Sequence, residues 1–219
     1  MIPGDPPPEI PPPGVPRHPR RRPDQPDPTV PHRAPFIPLV DPAPSADPVD
    51  ALRSDRRLLL MGALDHTTAD RLCAELMLAD GRATDPIELI INSPGGPVDA
   101  LPAVLDVIGL LRAPLATRCM GTAGGTAAVV LASGTAGRSA TQRASVRLRL
   151  DDTHTLDGRV DDIRHGADRV IDLWRRLADH VAGVSSLTPG EAADALRGGP
   201  HLSAAEALEA GLIDAVEGC

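Results

Sequence analysis

Two segments gather small and polar residues where the chain turns. Asn92-Ser-Pro-Gly-Gly96 reads as a sharp turn after an apolar stretch, and Gly121-Thr-Ala-Gly-Gly-Thr-Ala-Ala128 leads from a second apolar stretch into a small-residue helix. Nucleophilic catalysis by a side chain needs an activated hydroxyl or thiol, a base to take its proton, a group that orients the base, and donors for the charge that develops. The remaining chemistry-bearing residues narrow the choice. All 22 Lys/Arg positions are arginine, which excludes a lysine nucleophile, a Ser-Lys dyad and a phosphate-loop lysine. His154, His165 and His180 are too scattered to ligate zinc. Cys73, Cys119 and Cys219 form neither a ligand cluster nor a paired framework. Asp151-Asp152 with Asp161-Asp162 could pair carboxylates or hold a metal, but they read as a solvated loop and a helix cap. Ser93 reads as a turn residue. No metal and no cofactor is expected.

The elements that would carry these turns follow from hydrophobic spacing. Arg57-Leu-Leu-Leu-Met-Gly62 reads as a buried strand, residues 67–79 as a helix with Ala69, Leu72 and Leu76 on one face and Thr67 or Thr68 as N-cap, and Ile87-Glu-Leu-Ile-Ile91 as a second strand. Residues 99–111 predict a helix, 115–120 a strand, 126–133 a short helix and 145–150 a strand in which apolar residues and arginines alternate. From about 160 to 184, Val160, Ile163, Ala167, Val170, Ile171, Trp174, Leu177 and Val181 recur at spacings of three and four, which predicts one long amphipathic helix. Thr188-Pro opens a further helix with proline at its first position, and Ser203-Ala-Ala-Glu206 is a capping box. Strands alternating with helices indicate an α/β fold with a largely parallel sheet.

Residues 1–48 are different. They hold 18 of the 25 prolines, which deny the backbone both donors and conformational freedom, so a disordered, polyproline-II-like N-terminal extension is expected before one domain over 49–219. With one Trp (Trp174), one Phe (Phe36) and no Tyr, the core must be built from aliphatic residues. The net charge of −8 argues against a nucleic-acid or anionic-membrane partner. The cysteine usage, the absence of a signal-peptide pattern and the lack of a long apolar run point to the cytoplasm.

Several segments in order resemble the proteolytic subunit of the Clp protease family. They are Leu60-Met-Gly-Ala-Leu-Asp65, Leu89-Ile-Ile-Asn-Ser-Pro-Gly-Gly96, Cys119 to Ala128 continuing to Gly134 and Gly137, Gly158 with Asp162 and Ile163, and Leu202-Ser-Ala-Ala-Glu-Ala-Leu-Glu-Ala-Gly-Leu-Ile-Asp214. The resemblance spans about residues 52–218. It implies a spiral of ββα units of the kind shared with crotonases, a protruding handle helix at about 160–184, and assembly into rings.

It also implies a serine-protease triad, and here the sequence departs from the family. The position of the nucleophilic serine is Gly125. The position of the histidine is Leu150, or Arg149 if the strand shifts by one residue. The position of the aspartate is Gly199. None of these residues can attack, take a proton or orient a base. The resemblance leaves Gly96 and Thr126 as backbone oxyanion donors, with the Thr126 hydroxyl turned away by the helical step of about 100° per residue. It makes Val170, Ile171 and Trp174 the handle's assembly surface. Partners implied are rings of this chain or of catalytic Clp paralogues. A Clp AAA+ ATPase is a more doubtful candidate, because Glu88-Leu89-Ile90 stands where aromatic docking residues would be sought. The leading expectation is a pseudoenzyme, a non-catalytic ring subunit with a structural or regulatory role. The alternatives are a crotonase-like enzyme binding acyl-CoA through the surviving donors, and a residual serine endopeptidase.

Overall fold

The structure, a computed structural model, describes residues 47–150 and 160–218, the side chains of 160–163 excepted. The chain divides into units 1–45 and 46–219, and the described residues belong to the second. The expectations placed on the extension, and on Asp151, Asp152, His154 and Gly158, lie outside the described residues.

A short helix α1 (Pro48–Ser54), capped by the Asp47 carboxylate on Val49 N–H, leads into β1 (Arg57–Ala63). Its alternate residues Leu58 and Leu60 are buried. Helix α2 (His66–Arg82) buries Ala69, Leu72, Leu76 and Ala79. Its cap is Asp65, whose carboxylate accepts the Thr68 N–H at 2.8 Å; neither Thr67 nor Thr68 serves, because the helix starts earlier than the apolar spacing suggests. Strand β2 (Ile87–Gly95), a 3₁₀ turn (Val98–Ala100) and α3 (Leu101–Leu110) precede β3 (Leu115–Gly124). Both strands run through the glycine-rich segments that their sequences mark as turns.

Helix α4 (Thr126–Ala132) is buried along its whole length. Its Thr, Ala, Val and Leu side chains are small enough for the helix to pack closely on the sheet. Strands β4 (Arg138–Thr141) and β5 (Ser145–Arg147) follow, then α5 (Val160–Val184), α6 (Pro189–Gly198), β6 (Leu202–Ser203), α7 (Ala204–Glu209) and β7 (Ala215–Glu217). The capping boxes Thr188/Glu191 and Ser203/Glu206 both form.

The sheet runs β1-β2-β3-β4-β7 in parallel. Strand β5 pairs with the end of β3 in parallel and with β6 antiparallel. The registers Leu60↔Ile91 and Ile91↔Cys119 align the strands so that β2 and β3 deliver their glycine segments side by side, at Ser93↔Ala123. This α/β architecture with a parallel sheet is the fold that the resemblance implies. Along α5, Ile171 is 56% exposed and the Arg and Asp side chains at 164, 168, 169 and 172 face solvent, whereas Leu177, Ala178 and Val181 are buried. The predicted apolar stripe therefore divides, with its C-terminal half entering the core.

Polar locks hold the turns. Asp80 accepts the N–H groups of Arg112 and Ala113 at 2.9 and 2.8 Å and pairs with the Arg112 guanidinium, joining the end of α2 to the turn after α3. These bonds, the Ala113 N–H foremost, hold its carboxyl below the usual carboxylate range. Asp214 is lowered likewise by Arg138. A carboxylate depressed in the folded state contributes stability above its unfolded pKa of about 4 and loses it as pH falls further. The melting temperature is expected to hold from pH 7 to 5 and to drop below about pH 4, with a shallower drop in Asp80→Ala; thermal scans across that range check both.

Candidate functional site

The cleft forms where β2 and β3 end. Gly125 occupies the strand-to-helix turn at φ 48° and ψ −120°, between β3 and α4. A left-handed turn at this junction is the strained elbow on which nucleophilic serines are presented. Here glycine stands at the elbow. A Cβ built on Gly125 would lie 3.1 Å from Arg149 O and 3.9 Å from Leu150 Cα, so the segment facing the elbow is the one that the sequence assigns to the base, in either register. Leu150 is buried, with its N–H on Leu196 O, and Arg149 is exposed.

Backbone contacts fill the remaining places. Gly125 N–H donates to Arg147 O at 2.7 Å. Gly199 caps α6, and its carbonyl accepts the Arg147 Nε–H at 3.2 Å. A Cβ at 199 would stand 2.6 Å from Ala195 O, so a carboxylate could return there only if the end of α6 moved. The structure brings residues 149–150 against Gly125, and Arg147 touches both Gly125, through its carbonyl, and Gly199, through its guanidinium.

The expected pair of oxyanion donors needs correction. Gly96 N–H is not free: it donates to Thr126 Oγ1 at 2.9 Å, and Thr126 is wholly buried. The hydroxyl is indeed turned from the position a nucleophile would take, but it is turned onto the donor. Sequence reasoning missed this because Thr126 and Gly96 lie on different elements. Ser93, expected as a turn residue, is instead a buried residue of β2 paired with Ala123, its Oγ accepting the Gly95 N–H at 3.1 Å.

Other reactive groups sit elsewhere. Ser133 Oγ lies 2.8 Å from His180 Nε2, a contact that the sequence did not signal. Ser133 closes the far end of α4, eight residues from Gly125, a rise of about 12 Å. Ser133 Oγ also lies 2.7 Å from Val129 O in its own helix, so the serine is bound into the end of α4 and not presented to the cleft. Burial pulls the His180 pKa down. Ser145 and His201 approach only to 3.4 Å, at the surface. Burial pushes the Cys119 thiol up to about 11, which keeps it protonated. No cluster of three metal-ligating side chains occurs among the described residues.

Val170, Ile171 and Trp174 are brought together. With Ala178, Pro189 and Ala193 they line a groove of about 590 Å³ between α5 and α6. At the sheet, Glu88 pairs with Arg57 and Arg118 at 2.7 Å each, and Arg118 with Glu217 at 3.1 Å. This ladder of alternating charge crosses from β1 to β7.

Comparison with known proteins agrees with the fold and the motifs. The family model described as Clp protease matches residues 43–218. The chain is 35% identical over 175 residues to an ATP-dependent Clp protease proteolytic subunit-like protein of Streptomyces coelicolor, covering 78% of this chain and 83% of that one. It is 31% identical to ATP-dependent Clp protease proteolytic subunit 4 of Streptomyces avermitilis, over 78% of this chain and 76% of that one. It is 30% identical to the chloroplastic proteolytic subunit 4 of Arabidopsis thaliana, over 78% of this chain and 59% of that one. Among the described residues no helix is long and apolar enough to cross a membrane.

Proposed function

The chain belongs to the Clp protease family, and on that premise we propose that it is a non-catalytic subunit that joins catalytic paralogues in Clp-type rings, in the cytoplasm. The observation that carries this reading is the content of the cleft. By the motifs, the three catalytic positions fall on Gly125, Leu150 or Arg149, and Gly199, none of which can react, and in the cleft the Gly125 N–H bonds Arg147 O while the Arg147 side chain bonds Gly199 O. A serine-type mechanism needs a nucleophile and a base together. A crotonase-like use of the cleft would need the Gly96 N–H, which Thr126 already engages.

The scaffold supports an assembly role. The groove runs from the exposed Ile171 past the half-buried Val170 and Trp174 to the buried Ala178, and apolar area left open at its exposed end favours a partner. The charge ladder Arg57–Glu88–Arg118–Glu217 offers an incoming apolar docking segment four ionised groups to desolvate. ATPase docking is therefore assigned to the catalytic paralogues in the ring, and not to this subunit. The domain that assembles is 49–219, with the proline-rich residues 1–48 as an appended extension.

Affinity purification of the full chain from its own host, followed by sizing, tests the reading. Copurification of catalytic paralogues in a ring-sized species is expected, and a monomer that captures none of them contradicts it. Gly125→Ser is expected to restore neither peptide hydrolysis nor labelling by a fluorophosphonate, since the base and its orienting carboxylate are still missing. Labelling at residue 125 would count against an inert centre.

A further inference from the structure

The two turns of the cleft meet backbone to backbone. Leu64 N–H donates to Gly95 O at 3.0 Å. A Cβ on Gly95 would fall 2.3 Å from Gly124 O, and one on Gly124 would fall 2.4 Å from Pro94 O. Into this seam Thr126 places its hydroxyl, which accepts the Gly96 N–H at 2.9 Å. The same oxygen is 3.5 Å from Gly96 O, longer than an effective O–H···O bond, so toward Gly96 the hydroxyl acts chiefly as acceptor. A backbone N–H makes one strong bond. A substrate carbonyl or carboxylate oxygen could use this donor only by displacing Thr126 Oγ1, and the fully buried side chain has no solvent to receive it.

We propose that Thr126 is a built-in plug, which shuts the carbonyl-binding corner of the cleft whatever nucleophile stands at position 125. The plug is distinct from the loss of the triad. Restoring reacting groups would leave one of the two donors occupied, and a single oxyanion donor is worth about 10²–10³ in rate. It goes beyond the assembly reading, and its test involves no ring formation, so either can fail without the other.

A thiol supplies a nucleophile that needs no base, because part of it is ionised at pH 8.5. Gly125→Cys is therefore compared with Gly125→Cys/Thr126→Ala and with Gly125→Cys/Thr126→Ser, which keeps the hydroxyl. Each is treated with p-nitrophenyl acetate and, separately, with iodoacetamide, and peptide mass spectrometry reads residue 125 apart from Cys73, Cys119 and Cys219. In acylation the thiolate attacks the carbonyl, the C–S bond forms, the ester C–O bond breaks, and p-nitrophenolate leaves with the electron pair. In alkylation the C–S bond forms as iodide leaves, with no oxyanion. The ratio of acylation to alkylation is expected to rise tenfold or more in the Thr126→Ala variant and to stay unchanged in the Thr126→Ser variant. A ratio unchanged by Thr126→Ala overturns the plug, as does a thiol unreactive to both reagents in all three, which would place the barrier elsewhere. If the variants at 125 do not fold, hydrogen exchange decides: Thr126→Ala in the otherwise unaltered chain is expected to speed exchange of the Gly96 amide at least tenfold, and an unchanged rate overturns the proposal.

Discussion

Arg138→Ala is expected to cost about 3 kcal/mol of folding stability, the scale set by leaving several part-buried carbonyls without their donor at about 1 kcal/mol each. For a domain of this size that lowers the melting temperature by roughly 10 °C. Arg138 binds more elements together than its isolated place in the sequence suggests. Its guanidinium donates to the carbonyls of Ala132, Val184 and Gly211 and pairs with Asp214, so the ends of α4, α5 and α7 all rest on one side chain. The side chain is 14% exposed, so solvent replaces these bonds poorly. Removing it leaves carbonyls unsatisfied at three helix ends. Arg138→Lys is expected to recover only part of the loss, because a single ammonium cannot span the same fork. Calorimetry of the two variants checks the order; equal melting temperatures for Arg138→Ala and the unaltered chain would refute the role.

Gly96→Ala is expected to be as damaging, at about 3 kcal/mol, through overpacking. A Cβ there would lie 2.2 Å from Leu64 O and 2.6 Å from its carbon, contacts that only a backbone shift can relieve. Gly109→Ala in α3 is the internal control. Nothing lies within 4 Å of its Cβ, so the exchange is expected to stabilise the helix by about 0.5–1 kcal/mol. Urea melts of both variants, with opposite shifts in midpoint, check the pair. Together they separate glycines that the cleft needs from one that it does not.

Local signals in the sequence translated directly into structure. The capping box at Ser203 and the Thr188-Pro helix start depend on residues within one turn, so their spacing is sufficient evidence. The apolar runs of β1, β2 and β3 and the all-small α4 were legible for the same reason. Strand β4 was not, because Arg-Ser-Ala-Thr has no apolar pattern, and its pairing comes from β3 and β7, each distant in the chain. The α2 cap fell on Asp65 and not on a threonine, since an aspartate just before the periodic segment competes for the same N–H groups. At the cleft, the motifs propose Gly125, Leu150 or Arg149, and Gly199 for the catalytic positions, whereas the approach of residues 149–150 to Gly125 is a tertiary contact that no local pattern encodes. The engagement of the Gly96 N–H could not be foreseen. It depends on a hydroxyl thirty residues away whose direction only the packed turns determine. Arg138 is a similar case, a lone arginine after a glycine that gains its partners only when three helices converge.

The central claim is that this chain occupies a place in a Clp-type ring without a working centre of its own. Its most direct test is native mass spectrometry of the complex copurified from the host, after saturation with a fluorophosphonate. The account predicts one ring-sized species containing both this chain and a catalytic paralogue, with every label on the paralogue. A label carried by this chain, or its appearance only as a free monomer beside fully labelled rings, would contradict it.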